Sequence, residues 1–244
     1  MDSKEIAAEI YEDIKSENPS KVIELIRSVF VNEKTNKAKF TKTTLLNSVG
    51  QKLGKLLLND DWNFEKLLEL WKNGGRDEKL IVINAVGVIG KKDYKGTKEF
   101  VLRVVKDILD WEICDQLALK AVVHLLVQNR DEMFSIMESW KKSKSKWTRR
   151  LSVAVIPPYI RAKPDDFEIC LNFLKGLMNE SDRDVKKAIG WALREIAKKN
   201  PDAVFNFLLK QIKTTDKNTR QIIKDGMKKL PHEKQNLLLS LMKI

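Results

Sequence analysis

Apolar residues recur at intervals of three and four along most of the chain, and short polar breaks separate these stretches. This spacing is typical of amphipathic helices, whereas the strict alternation of a half-buried strand is nearly absent. Between about residues 61 and 230, five apolar stretches are each followed by a polar break and a second apolar helix. The same pattern predicts three earlier helices, at 3–16, 19–31 and 41–58, and a closing helix at 232–244.

The second helix of each pair is rich in small residues, which allow neighbouring helices to pack closely. They are Ala85, Gly87, Ala118, Ala121, Ala154, Ala188 and Gly190. Such residues suit the inner layer of a stacked helical repeat. We therefore predict an all-α fold, a HEAT-like solenoid of antiparallel helix pairs (an α-α superhelix). It would be a single domain, with N-terminal helices at 1–58, five pairs at 59–230 and a closing helix at 231–244.

One position near the start of each second helix is basic in four repeats and acidic in one. Its residues, at intervals of 33 to 37, are Lys79, Asp115, Arg150, Lys187 and Arg220. Stacked repeats place equivalent positions in a row on one surface. A cationic row suits a polyanion, but a carboxylate within it does not help simple binding. The carboxylate is therefore a candidate for chemistry.

Two tryptophans lie one helical turn from row residues: Trp111 precedes Asp115, and Trp191 follows Lys187. On spacing alone, both indoles fit a helical core as well as a site, and Asp115 fits an acid that favours a helix N-terminus. The pair Arg149 and Arg150 equally fits a solvated surface. The remaining tryptophans are predicted to be structural: Trp62, Trp71, Trp140 and Trp147.

Composition favours a nucleic-acid partner, because 46 Lys and Arg outnumber 34 Asp and Glu and leave a net charge of +12. The basic residues are dispersed rather than gathered beside one apolar helix, so a membrane partner is not expected. The N-terminus is polar and acidic, unlike a signal peptide, and charge-free stretches are too short to span a bilayer. We expect a cytoplasmic, monomeric protein.

Metal or cofactor chemistry is not expected from the sequence. Cys114 and Cys170 lack the CxxC spacing, and His124 and His232 lie far apart with no ligand pattern. A small thiol that packs between helices is the simplest reading of Cys114, although it precedes Asp115.

Four motifs carry a resemblance to a known family. VKKAIGWALREIAKKNPDAV (Val185–Val204) closely resembles a signature of the AlkD-type DNA alkylation repair glycosylases. ELWKNGGRDEK (Glu69–Lys79), DWEICD (Asp110–Asp115) and KWTRR (Lys146–Arg150) are similar to three further family segments, in the same order. The chain departs from the family at SVFVNEKTNKAKF (28–40), which lacks the usual Gly-Ile/Val and Pro pattern.

The resemblance implies a HEAT-like solenoid whose concave face cradles duplex DNA, and an enzyme that releases cationic alkylated purines such as 3-methyladenine and 7-methylguanine. It implies that Trp111 and Trp191 line the site against the deoxyribose and backbone of the lesion. It further implies that Asp115 is the catalytic carboxylate and that Arg150 holds a phosphate.

We therefore predict a DNA glycosylase, a hydrolase of N-glycosyl bonds, that acts in DNA repair on double-stranded DNA with alkylated bases. Lys79, Arg149, Lys187 and Arg220 are predicted to bind DNA together with Arg150. Two alternatives stay open: a non-catalytic HEAT-like protein that binds duplex or branched DNA, and a helical scaffold that binds proteins.

Overall fold

A computed structural model describes residues 2–16, 19–31, 42–59 and 64–242. The predicted all-α class is confirmed, since the regular elements of the described residues are all helical. The first six helices are α1 (Ser3–Lys15), α2 (Pro19–Val31), α3 (Thr43–Leu57), α4 (Phe64–Asn73), α5 (Arg76–Ile89) and α6 (Tyr94–Val104). Helices α1 to α3 lie within a residue or two of the predicted N-terminal helices.

Ten further helices follow in the described residues. They are α7 (Trp111–Leu117), α8 (Val123–Gln128), α9 (Arg130–Trp140), α10 (Lys146–Ala154), α11 (Ile156–Ala162), α12 (Phe167–Lys175), α13 (Arg183–Ala197), α14 (Pro201–Leu209), α15 (Lys217–Gly226) and α16 (His232–Leu241). A π-helical turn at Ala118–Val122 joins α7 to α8. None of the described helices is long and apolar enough to cross a membrane.

Local sequence signals explain where the helices begin and end. Asp110, Asn129 and Asp182 each cap a helix by accepting a backbone N–H from its first turn, which satisfies a donor without a partner inside the helix. The prolines Pro157 and Pro158 occupy the first turn of α11, and α10 ends shortly before them, at Ala154.

The chain divides into two compact units. The first unit comprises Met1–Ile108 and Lys120–Gln128. Within it, α3 packs along α5 because Gly50 has no side chain: a Cβ there would lie 2.3 Å from the carbonyl oxygen of Ile81. Trp71 is 1% exposed and packs edge-on against Phe100.

The second unit comprises Leu109–Leu119 and Asn129–Ile244. Within it, α7, α10, α13 and α15, which lie in the second positions of successive pairs, pack against one another in that order. The small residues Ala188 and Gly190 of α13 are buried in this unit, while the HEAT-like inner layer that the sequence suggests stays a prediction. The single-domain organisation of the whole chain stays a prediction.

The described tryptophans follow the predicted division between core and surface only in part. Trp71 and Trp140 are buried, whereas Trp111 is 60% exposed. Trp191 is half-buried, and so is Trp147, which was predicted to be structural. Trp62, like the divergent residues 32–40, lies outside the described residues.

Candidate functional site

Helix α7 carries two of the predicted site residues. Asp110 caps this helix by accepting the Ile113 N–H at 2.9 Å, so Trp111 becomes its first residue. The indole of Trp111 is largely exposed, which costs hydrophobic burial unless a partner covers it. Asp115 lies one turn further along the same face of the helix.

Asp115 and Arg150 form a bidentate ion pair between α7 and α10. The Nε of Arg150 donates to Asp115 Oδ1 at 2.8 Å, and its Nη2 donates to Asp115 Oδ2 at 2.7 Å. Only 9% of the Arg150 side chain and 15% of the Asp115 side chain are exposed. The row of equivalent positions alone suggests an isolated carboxylate. Asp115 is instead paired with Arg150, which fixes its orientation within the protein.

A third helix, α13, holds the other side of the Arg150 guanidinium. Its Nη1 donates to the backbone carbonyl of Asp184. Burial disfavours the charged guanidinium, but the hydrogen bond and charge of Asp115 outweigh burial and raise the pKa of Arg150. These contacts occupy three of the five N–H donors of Arg150 and leave one on each terminal nitrogen.

Asp184 also joins α13 to α10 through its side chain. Lys146 Nζ lies 2.9 Å from Asp184 Oδ2. This hydrogen bond, followed by the positive charges of Lys146 and Lys187, lowers the pKa of the Asp184 carboxyl. Asp184 therefore contacts Arg150 through its backbone and Lys146 through its carboxylate.

Cys114 has the packing role expected of it. Its thiol is buried and donates to the carbonyl of Trp147 over 3.4 Å. Burial first, and then the negative charge of Asp115, raise the pKa of Cys114 well above its usual value. A thiol in this environment is a poor nucleophile.

Trp191 lies on α13, where Gly190 and Arg194 determine how closely α15 approaches. A Cβ at Gly190 would lie 2.0 Å from Asp225 Oδ2, so only glycine leaves room for this carboxylate. Arg194 Nη1 donates to the same oxygen at 2.6 Å. The Gly-Trp and Arg of the signature segment are thus explained in part by the packing of α13 on α15.

The model of a family described as DNA alkylation repair enzyme matches residues 41–230, more than half of the chain. The chain belongs to this family. The matched range includes all the predicted site residues, from Lys79 to Arg220, and begins after the divergent segment at 28–40.

Solved structures support the same fold. AlkD2 from Streptococcus mutans is 18% identical with a TM-score of 0.62, and the alignment covers 84% of this chain and 99% of that one. The smu.31 protein from Streptococcus mutans UA159 is 19% identical with a TM-score of 0.54, and the alignment covers 94% and 100%. At these identities the likeness establishes the fold alone. No curated protein matches the sequence.

The other cations predicted to bind DNA differ in the contacts that their side chains make within the protein. Lys187 is exposed, and Lys79 lies with its Nζ 5.4 Å from the Trp71 ring centroid. Arg149 forms a bidentate pair with Glu180, and Arg220 donates to backbone carbonyls. These contacts do not test whether the four residues bind DNA, and their binding of DNA stays a prediction. The structure joins Asp115 and Arg150 directly.

Sequence reasoning missed two features of this region. The Asp184 carbonyl that holds Arg150 is a backbone group, which no residue pattern reveals. Leu109, which is 78% exposed two residues before Trp111, has the spacing of an ordinary core leucine. In the described part of the chain, no group of three or more His, Cys, Asp and Glu side chains could hold a metal ion.

Proposed function

We propose that this member of the DNA alkylation repair enzyme family is a DNA glycosylase that releases cationic alkylated purines from duplex DNA. One observation supports this most. A carboxylate, Asp115, is held by both oxygens one turn from an exposed indole, Trp111, in a strongly basic protein. Because the chain belongs to a family of DNA repair enzymes, damaged DNA is the substrate that best suits this arrangement.

The chemistry requires stabilisation of a positive charge on the sugar. An alkylated purine such as 3-methyladenine or 7-methylguanine already carries a positive charge, so it leaves with little help from a general acid. Cleavage of its glycosidic bond builds an oxocarbenium-like deoxyribose. Asp115 would stabilise that cation or orient the attacking water, and its fixed position lowers the cost of reorganisation at that moment.

The two indoles would shape the site around the deoxyribose. Aromatic faces attract cationic groups and pack against sugars. Trp111 and Trp191 are the tryptophans of the second unit predicted to do this, and both have accessible surface. They would grip the sugar and backbone of the lesion.

Arg150 would connect the carboxylate to the DNA backbone. Its two remaining N–H donors can reach a phosphate while the other three keep Asp115 in place. The guanidinium would then orient the catalytic carboxylate and fix the register of the DNA. Lys79, Arg149, Lys187 and Arg220 are proposed to contribute further backbone contacts, which do not read sequence.

The Asp115–Arg150 pair also favours one alternative. A buried ion pair gives the carboxylate a structural use, so Asp115 is compatible with a protein that binds duplex or branched DNA without cleaving it. Exposed Trp111 fits either function. Release of a base is therefore the decisive property.

The test is incubation of the protein with duplex DNA that carries 7-methylguanine, with single-turnover measurement of the released base. We expect release well above that from DNA alone. Binding of the duplex without release of 7-methylguanine or 3-methyladenine would support the non-catalytic alternative. A protein with no affinity for DNA at any salt concentration would support a scaffold that binds proteins.

A further inference from the structure

An open cleft of about 280 Å³ lies between α13 and α15 in the second unit. Its lining contains five cationic side chains and one carboxylate: Arg183, Lys186, Lys187, Lys224, Lys228 and Asp225, together with Gln221 and Ile222. Only Lys187 belongs to the row of equivalent positions. The cleft therefore contains positive charge that the repeat pattern does not predict.

The carboxylate in the cleft is already engaged. Asp225 accepts hydrogen bonds from Arg194 at 2.6 Å and from Lys228 at 2.7 Å. Its negative charge is thus balanced by Arg194, which lies outside the lining, and by Lys228, one of the five lining cations. The ammonium and guanidinium groups of the remaining lining residues are left with a net positive potential.

Lys186 is held in place by neutral groups. Its Nζ lies 2.8 Å from Asn218 Oδ1 and 2.8 Å from Gln221 Oε1. Amide oxygens orient an ammonium without neutralising its charge, and they occupy two of its three donors. The nearby carboxylate of Asp216 caps α15 through one oxygen, Oδ2, which accepts both the backbone N–H and the hydroxyl of Thr219. Lys186 therefore has a fixed position and one donor for an anion.

We propose that this cleft binds a phosphate group of the DNA backbone. The proposal rests on the proposed function, because that function makes DNA the ligand. The oriented Lys186, with exposed Arg183 and Lys224 beside it, supplies charge-assisted donors from both helices. The volume of about 280 Å³ lies just below that of small-molecule sites, which span roughly 300–1,000 Å³, and suits a single phosphate group.

The lining shows what kind of contact this is. It contains no aromatic side chain, and its apolar member, Ile222, is 1% exposed. No aromatic side chain there can stack on a base, so we assign to the cleft a role in affinity and register rather than in recognition of the lesion. Lys187 connects the cleft to the candidate site, since Trp191 follows it by one turn of α13.

The test compares two full-length triple variants with the same change in charge. Arg183→Gln/Lys186→Gln/Lys224→Gln removes charge from the cleft. The control, Lys163→Gln/Lys175→Gln/Lys210→Gln, removes charge from exposed residues elsewhere in the second unit. Affinity for undamaged duplex DNA is measured across a range of salt concentrations, after thermal unfolding has shown that both variants are folded.

We expect the slope of log K against log salt to be smaller in magnitude by about 0.9 in the cleft variant than in the wild type, for the loss of one phosphate contact. If the two proteins bind equally at roughly 1 M salt, the variant then binds about eightfold more weakly than the wild type at roughly 0.1 M salt. The control should change affinity by less than about twofold, because screening limits the effect of distant charges. Equal losses in the two variants, or an unchanged slope in the cleft variant, would overturn the proposal.

Two further measurements separate the possible ligands and functions. In the wild-type protein, duplex DNA should protect Lys186 and Lys224 from acetylation but leave Lys175 reactive; no protection would contradict the proposal even if a variant misfolds. Saturable binding of AMP that the cleft variant loses would replace the DNA backbone by a free nucleotide. If the wild type releases no 7-methylguanine, the glycosylase proposal fails, while the salt slope still tests the cleft.

Discussion

The two units join neighbouring helices in different ways. In the first unit, α3 approaches α5 through Gly50 and Gly54, and added methyl groups there would meet the carbonyl oxygens of Ile81 and Ala85. In the second unit, charged side chains connect α7 to α10 and α13 to α15, through Asp115–Arg150 and Arg194–Asp225. One interface is close backbone packing, and the others include ion pairs.

Ion pairs of this kind need a reason beyond stability. Removing two charges from water costs about as much as their attraction returns, so a buried pair is weak evidence for stabilisation. Close packing of apolar helices is the simpler means of joining them. Asp115 of the Asp115–Arg150 pair lies one turn from exposed Trp111, so we propose that this pair serves the DNA ligand of the proposed function.

The largest expected effect separates the two tryptophan environments. Trp71→Ala in the first unit should lower the free energy of unfolding by about 3–5 kcal/mol, because it empties a buried site. Trp111→Ala should leave stability nearly unchanged and instead slow base release, because its indole is largely exposed. Denaturant unfolding and single-turnover release measure the two effects. A loss of several kcal/mol at Trp111 would make that indole structural.

Next in size is the loss of the carboxylate charge at Asp115. We expect Asp115→Asn to slow release of 7-methylguanine by about 100–1000-fold at most, as loss of one preorganised electrostatic partner does elsewhere. The effect shrinks because a cationic purine leaves readily by itself. DNA binding should be preserved or strengthened, since a negative charge is removed and Arg150 loses its counterion. Release is measured at matched DNA occupancy.

Asp166→Asn is the matched control for this variant. Asp166 is similarly half-buried in the second unit and is paired with Arg130, but it lies outside the candidate site. Both variants keep a side chain of the same size. If Asp115→Asn and the control release the base at the same rate as the wild type, Asp115 has no part in the mechanism.

Removal of the Arg150 side chain should reduce stability more than removal of a comparable arginine in the first unit. Arg150→Ala leaves Asp115 without its partner in a mostly buried position, so we expect a loss of about 3 kcal/mol in the free energy of unfolding. Arg103→Ala, which breaks the exposed pair with Glu65 in the first unit, should cost far less. If urea denaturation shows similar losses in the free energy of unfolding for the two variants, burial of the Arg150 pair does not increase its effect on stability.

Close packing in the first unit gives a smaller effect. Gly50→Ala places a methyl group against the backbone of α5, which cannot move as a flexible side chain does, and should cost about 1–3 kcal/mol. Gly176→Ala is the control, because its Cβ would meet the flexible end of Lys141 and its backbone is helical. Thermal unfolding should show the first variant destabilised and the second unchanged or slightly stabilised.

The helices were predictable because periodicity, caps and prolines are local signals. The equivalence of the row positions was predictable for the same reason: each is the fourth or fifth residue of its helix. The contact between Asp115 and Arg150 was not, because it depends on how α7 and α10 are rotated against each other. Nor could the cleft be predicted, since α13 and α15 contribute its lysines from different repeat positions.

The smallest effect concerns the pH dependence of stability at the link between α10 and α13. The pKa of Asp184 is lowered in the folded protein, first by the hydrogen bond from Lys146 and then, against burial, by nearby positive charges. A lowered pKa means that the stabilisation is complete above the unfolded value, about 3.9, and is lost as pH falls through the folded value. The pair is partly exposed, so its contribution is under about 1 kcal/mol.

Asp184→Asn should therefore reduce stability slightly at neutral pH and match the wild type in strong acid, as followed by urea unfolding across the acid range. The Arg150 contact should survive, because it uses the backbone carbonyl of residue 184. An equal deficit at every pH would mean that the substitution acts through packing and not through the charge of the carboxylate.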